Sequence, residues 1–262
     1  MPCPLRLPHL SGANSRAIPQ IANLLQAIPA PSESQNSQKT ILLSSKTTGH
    51  IIPAMSRTAD PTYIPECLIS AGLDLFIGQG YNATGIQQIT AHAGVPKGSF
   101  YNHFAGKEAF AALVVARYAE NNEKSWELMM STAPSGPLEK IHHVFEQMIA
   151  YHEHGERLCG CLIGNFAGEI ALSSPACRAE LLKAQAAWRD RLAELIVQAQ
   201  AAHVVRADID ATMLSELTWN LWEGALLRMK IEGSIRPLKQ SIALILDLFY
   251  PPVSEPVAAL NK

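Results

Sequence analysis

Apolar residues in this chain return every three or four positions, and β-branched residues rarely alternate with polar ones, so the pattern predicts helices. Ile64, Leu68, Ala71, Leu75 and Phe76 form one stripe of a helix from about Thr62 to Gln79, with Pro65 in its first turn and Gly80 ending it. Ile86, Ile89 and Ala93 share a face of a second, short helix, for which Thr84 is the expected N-cap. Gly94-Val95 makes a tight turn, and Pro96 opens a third helix that carries Phe100 and Phe104 inward. A fourth runs from Gly106-Lys107-Glu108 to about Met130, with Phe110, Leu113, Val114, Arg117 and Tyr118 inward. Two short helices joined by a turn that contains Gly are the helix-turn-helix pattern.

After the break at Ala133 to Pro137, the spacing predicts helices over Leu138–His154, Cys161–Leu172, Pro175 to about Ala202, Asp208 or Asp210 to Glu232, and Pro237 to about Tyr250. The last two are apolar over much of their circumference. Leu217, Leu221, Ala225 and Met229 form one stripe, flanked by Trp219, Trp222 and Leu226, and Ile242, Ile245, Leu246 and Phe249 form another. Such helices need neighbours on two sides. The expected fold is all-α: an N-terminal three-helix helix-turn-helix unit over 55–108, a larger helical domain for regulation and dimerisation over 109–252, and a tail over 253–262. Residues 1–54 are rich in Pro, Ser, Gln, Asn and Thr, and read as a disordered arm or as sequence ahead of a true start at Met55. The intact mass of natively expressed protein distinguishes the two.

Composition narrows the field. With 48% hydrophobic and 17% charged residues in 262, the chain can bury a sizeable core. Five cysteines are too few for a secreted disulfide framework of this length, which points to a reducing cytoplasm, and no membrane span is predicted. No cofactor motif is present: there is no G-x-S-x-G, no phosphate-cradling glycine loop and no HExxH, so an enzyme is not expected.

The stretch from Leu75 to Glu108 reads L-F-x3-G-Y-x2-T-x4-I-x3-A-G-V-x-K-G-x2-Y-x-H-F-x2-K-E. It resembles the DNA-binding segment of the TetR/AcrR family of bacterial transcription regulators. The resemblance implies a homodimer joined through its last two helices, a palindromic double-stranded DNA operator, and release by a small-molecule or reactive inducer. Matching positions make Thr84, Lys97, Tyr101, His103 and Lys107 the expected phosphate ligands. The small side chains of Gly98 and Ser99 let the third helix lie close in the groove. Ser99 and Asn102, with Gln87 and Gln88 further off, are the candidates for base readout, since Asn and Gln suit adenine edges. Between Met55 and Glu108 the cations are Arg57, Lys97 and Lys107 and the anions Asp60, Glu66, Asp74 and Glu108, a net −1. That balance predicts a shallow salt dependence of binding and leaves open an adaptor that keeps the fold without holding DNA.

Cys159 to Arg178 resembles a subgroup of the family that includes the repressor of N-ethylmaleimide reductase and acrylate-responsive regulators, through Gly160-Cys161-Leu162; Trp222 to Arg228 resembles it too. The resemblance makes Cys161 a candidate sensor, with Cys159 and Cys177 as oxidation partners. A position at a helix N-terminus is expected to lower its pKa. A metal sensor built on His142, His143, His152, His154 and these cysteines is the rival, although no CxxC pair exists and no metal ligand set is assigned. A noncovalent inducer among Phe145, Met148, Trp188 and Trp222 is the third reading.

Overall fold

The computed structural model describes residues 63–155, 158 and 160–252, with the side chains of Leu248 and Phe249 excepted. The expectations for residues 1–54, for the tail and for Cys159 lie outside the described residues. All regular structure among the described residues is helical. The elements are α1 (Tyr63–Gln79), α2 (Ile86–His92), α3 (Lys97–His103), α4 (Lys107–Ser131), α5 (Pro137–His154), α6 (Leu162–Glu169), α7 (Pro175–Ala201), α8 (Ala211–Glu232) and α9 (Arg236–Leu244), the last running into a π-turn over Ile245–Phe249.

Local chemistry sets most boundaries. Gly80 ends α1 at φ +85° and Gly94 turns the chain between α2 and α3 at φ +67°, conformations that a side chain would strain. The Ser174 hydroxyl accepts from the Cys177 amide at 3.2 Å and caps α7, and the Asp210 carboxylate accepts from Met213 at 3.0 Å and caps α8. One expected cap is corrected. Gly85, not Thr84, stands at the N-cap of α2, and the Gln88 carboxamide oxygen accepts from the Gly85 amide at 2.8 Å. Two stripes also shift. Leu113 is exposed and α4 turns inward through Phe110, Ala111, Val114 and Val115. On α8 the buried face is Leu214, Thr218, Trp222, Ala225 and Met229, and Leu217 and Leu221 stand at its margins.

Two apolar cores result. One gathers α1 to α3 and the first half of α4 with Leu162, Ile163 and Phe166 of α6, the start of α7 and Trp219. The other joins the end of α4 to α5, α8, α9 and the second half of α7. Cys161 and Trp188 border both. The boundary expected after Glu108 therefore falls in the first turn of α4, and the core of the N-terminal unit runs across it into α6. Tyr250 closes the far end: its hydroxyl meets Thr218 at 2.9 Å and its carbonyl accepts from Arg206 at 2.8 Å.

Candidate nucleic-acid interface and its linked cavity

The N-terminal unit is built on aromatic packing. Phe100 lies 5.1 Å from Phe110 and 5.3 Å from Phe104 between ring centroids, all three buried. This fastens α3 from behind and leaves its other side to solvent. Lys97, Gly98, Tyr101, Asn102 and His103 are exposed there, and Ser99 is half-buried. A Cβ at Gly98 would meet no atom within 4 Å, so that side of the helix is clear for a close approach. Gln87 is exposed on α2, and Gln88, also exposed, is tied to the Gly85 amide. The N-terminus of α4 has no side-chain cap at Gly106, an arrangement suited to a phosphate.

Two expected phosphate ligands sit elsewhere. Thr84 is wholly buried, and its hydroxyl donates to the Gly80 carbonyl at 2.7 Å, so it braces the turn between α1 and α2. Lys107 is half-buried with its ammonium 4.0 Å above the Tyr81 ring. Burial lowers its pKa, offset in part by the Glu169 carboxylate. Among the described residues of 63–106, Lys97 is the one lysine or arginine.

α6 connects this unit to the interior. Phe166 packs edge-on against Phe76 at 5.1 Å and Tyr81 at 5.8 Å. The Asn82 amide donates to Glu169 Oε2 at 2.6 Å, and a Cβ on Gly80 would collide with the same carboxylate. Lys230 of α8 donates to Asn165 Oδ1 at 3.0 Å, and Asn165 Nδ2 donates to the Ile77 carbonyl at 3.4 Å. Glu169 thus grips the turn ahead of α2.

The opposite end of α6 faces a cavity of about 830 Å³, counting its open mouth, where the two cores meet. Tyr118 and Trp126 of α4, Met148 of α5, Cys161 before α6, Trp188 and Arg191 of α7, and Trp219, Trp222 and Glu223 of α8 line it. Met148, Trp188 and Trp222 were expected here. Phe145 lies behind the wall, its ring 6.1 Å from Trp222 and 6.3 Å from Trp188. Glu223 and Tyr118 were missed as lining residues, although a carboxylate directly after Trp222 in an otherwise apolar run was a visible signal.

The electrostatics of the cavity correct the expectation for Cys161. It is the N-cap residue of α6, yet burial and then the neighbouring Glu223 carboxylate push its thiol pKa far up, more than the Tyr118 hydroxyl and the Gly164 amide pull it down. Desolvation and a like charge outweigh the helix terminus. Cys177 is buried with its thiol 3.7 Å from the Glu108 carbonyl, and burial raises its pKa too. Both are free thiols. The rival metal set does not assemble: no three His, Cys, Asp or Glu side chains converge among the described residues. Glu223 itself is raised to about 7 by burial, with the Cys161 thiol bonding to it in partial compensation. Its Oε1 is buried and has no hydrogen-bond partner among the described residues.

Residues 68–114 match the family model described as bacterial regulatory proteins, tetR family, and residues 137–245 match that of the tetracyclin repressor-like C-terminal domain. The chain is 33% identical over 190 residues to the HTH-type transcriptional repressor DhaR of Mycobacterium sp., covering 72% of this chain and 94% of that one. It is 34% identical over 196 residues to the transcriptional regulator AcuR of Cereibacter sphaeroides, covering 71% and 88%. Among solved structures, the regulatory protein TetR from Rhodobacter sphaeroides superposes with a TM-score of 0.65 at 32% identity, over 71% of this chain and 98% of that one. The reduced form of E. coli NemR has the same fold, with a TM-score of 0.64 at 22% identity over 73% and 100%. The chain therefore belongs to the tetR family of bacterial regulatory proteins, DNA-binding transcription regulators of the helix-turn-helix type.

Proposed function

We propose that the chain acts in the cytoplasm as a homodimeric repressor, holding a palindromic operator with α3 and releasing it when a small molecule enters the cavity beside α6. The observation that carries this reading is the unbroken path from the cavity through α6 to the turn ahead of α2. One end of that short helix lines the cavity and the other holds the Asn82 amide by way of Glu169, whose carboxylate lies against Gly80. A ligand that displaces α6 must therefore disturb the helix-turn-helix. DhaR is named a repressor, in line with the direction of control proposed here.

The dimer reading rests on the outer face of α8. Met213, Leu217, Asn220, Gly224, Leu227 and Ile231 follow each other at spacings of four and three, and Met213, Leu227 and Ile231 are 59%, 56% and 84% exposed. A stripe of that kind suits a second copy packed across a twofold axis. It brings two copies of α3 to one face of DNA about a helical turn apart.

A noncovalent inducer is favoured over an electrophile, because Cys161 is held as a neutral thiol and the thiolate is the nucleophile. A gel-shift assay on the promoter region of the protein's own gene tests the function. A retarded complex with two protomers per site is expected, and no shift at any protein concentration would leave the adaptor reading instead. N-ethylmaleimide is expected to leave operator binding of the wild type and of Cys161→Ser alike.

A further inference from the structure

The four tryptophans of the whole sequence, Trp126, Trp188, Trp219 and Trp222, all line the one cavity. They come from three helices, so helical periodicity alone does not gather them. Trp188 and Trp219 stand 5.1 Å apart between ring centroids. Ordinary core packing accounts for indoles at any of these positions but not for the carboxylate set among them. Glu223 Oε1 is buried and has no hydrogen-bond partner among the described residues, while Oε2 lies so close to α6 that a Cβ at Gly164 would strike it.

Among the described residues, no charged group around Glu223 pairs with it. Tyr118 from α4 and Cys161 before α6 are both held neutral by burial. Arg191 from α7, at the cavity edge, already donates to Glu123 at 3.1 Å. His152 from α5 also lines the cavity, against Trp222 with ring centroids 6.0 Å apart, while burial and Cys161 are what set the Glu223 pKa. A buried carboxylate without a counter-charge attracts a cation, and indole faces attract one as well through the ring quadrupole. We propose that the cavity binds a monovalent organic cation with an aromatic or branched apolar body, its positive centre at the Glu223 carboxylate and its body among the four indoles. This rests on the reading of the cavity as the inducer site and names the chemistry of the inducer.

The tryptophans report on occupancy, so the test is a fluorescence titration of the full chain without DNA. The probes are benzyltrimethylammonium, its uncharged isostere neopentylbenzene, and benzenesulfonate. The ammonium is expected to quench saturably and to bind at least about tenfold more tightly than neopentylbenzene, with no saturable response to the sulfonate. In Glu223→Gln, which keeps the shape of the side chain, the preference for the cation is expected to fall to about twofold or less, with neopentylbenzene binding unchanged as the sign of an intact cavity. The ratio of cation to neutral affinity is expected to rise from pH 6 to pH 8 about tenfold more in the wild type than in Glu223→Gln, as a carboxyl with a pKa of about 7 ionises. Equal binding of ammonium and hydrocarbon, no saturable binding of the ammonium, or a preference that survives in the variant would each overturn the proposal. His152 lines the same cavity and an imidazole ordinarily ionises in this window, so the pH series is read as the difference between the wild type and Glu223→Gln. Operator binding is not read in this titration, so the repressor reading and the ligand class fail separately.

Discussion

At the scale of single residues, exposure separates the groups that meet DNA from those that hold the fold. Lys97 and Asn102 both project from α3 into solvent, one as a charge and one as a paired donor and acceptor. Lys97→Ala is expected to weaken binding to all DNA sequences by a similar factor, while Asn102→Ala alters the ranking among operator variants; gel shifts on a library of sites measure both. Thr84 behaves differently. Its buried hydroxyl donates to Gly80, so Thr84→Val is expected to cost about 1–3 kcal/mol in urea unfolding without changing operator preference. Glu223 carries a pH signature. Its folded pKa lies above the ordinary carboxyl value, so the folded state binds the extra proton; the stability this contributes is full below about pH 4.5 and is lost as pH rises to about 7. The loss is on the order of 3 kcal/mol, and Glu223→Gln is expected to be more stable than the wild type at pH 8, with the gap closing toward pH 5 in thermal melts. The motif made the exposed α3 residues legible in the sequence. It did not reveal Thr84 as buried or Lys107 as turned onto Tyr81, because both depend on how α1, α4 and α6 meet. It also put a lowered pKa on Cys161, since a helix terminus can be read from sequence and a desolvated carboxylate neighbour cannot.

At the scale of elements, the boundaries were legible wherever Gly, Pro, Ser or Asp marks them, as at Gly80, Gly94, Ser174 and Asp210. The rotation of the long helices was less so. α8 is apolar on two sides, and a stripe counted from Leu217 and Leu221 misses the face that is left open through Leu227 and Ile231. Periodicity finds a stripe but does not choose between two. α6 is the element whose meaning came only with the fold. Its eight residues meet the N-terminal unit through Phe166, Asn165 and Glu169. Phe166→Ala opens a hole between Phe76 and Tyr81 and is expected to cost about 3–5 kcal/mol of stability. Glu169→Gln gives up a charge-assisted bond on an exposed turn; it is expected to keep the melting temperature within a few degrees and to change how much operator affinity a cavity ligand removes.

At the scale of the whole molecule, the outer stripe of α8 predicts the assembly. Leu227→Arg places charges where two copies would meet, and sedimentation of the variant is expected to give a protomer with loss of tight operator binding, while circular dichroism stays helical. The charge balance makes a second prediction at this scale. Lys97 stands exposed and Lys107 is engaged by Tyr81, so the dimer neutralises few phosphates, and the slope of log affinity against log salt is expected to be about four or less in magnitude. A slope near ten would contradict it.

The sparse positive charge of the reading face has a consequence for how the protein finds its site. Attraction to the bulk chromosome is almost wholly a matter of cations meeting phosphates. To the extent that the described reading face governs non-specific contact, the protein is expected to dissociate readily from bulk DNA and to reach its target more by repeated three-dimensional encounters than by long sliding. Few molecules would then be held by the surrounding genome, and a small pool would keep the operator filled.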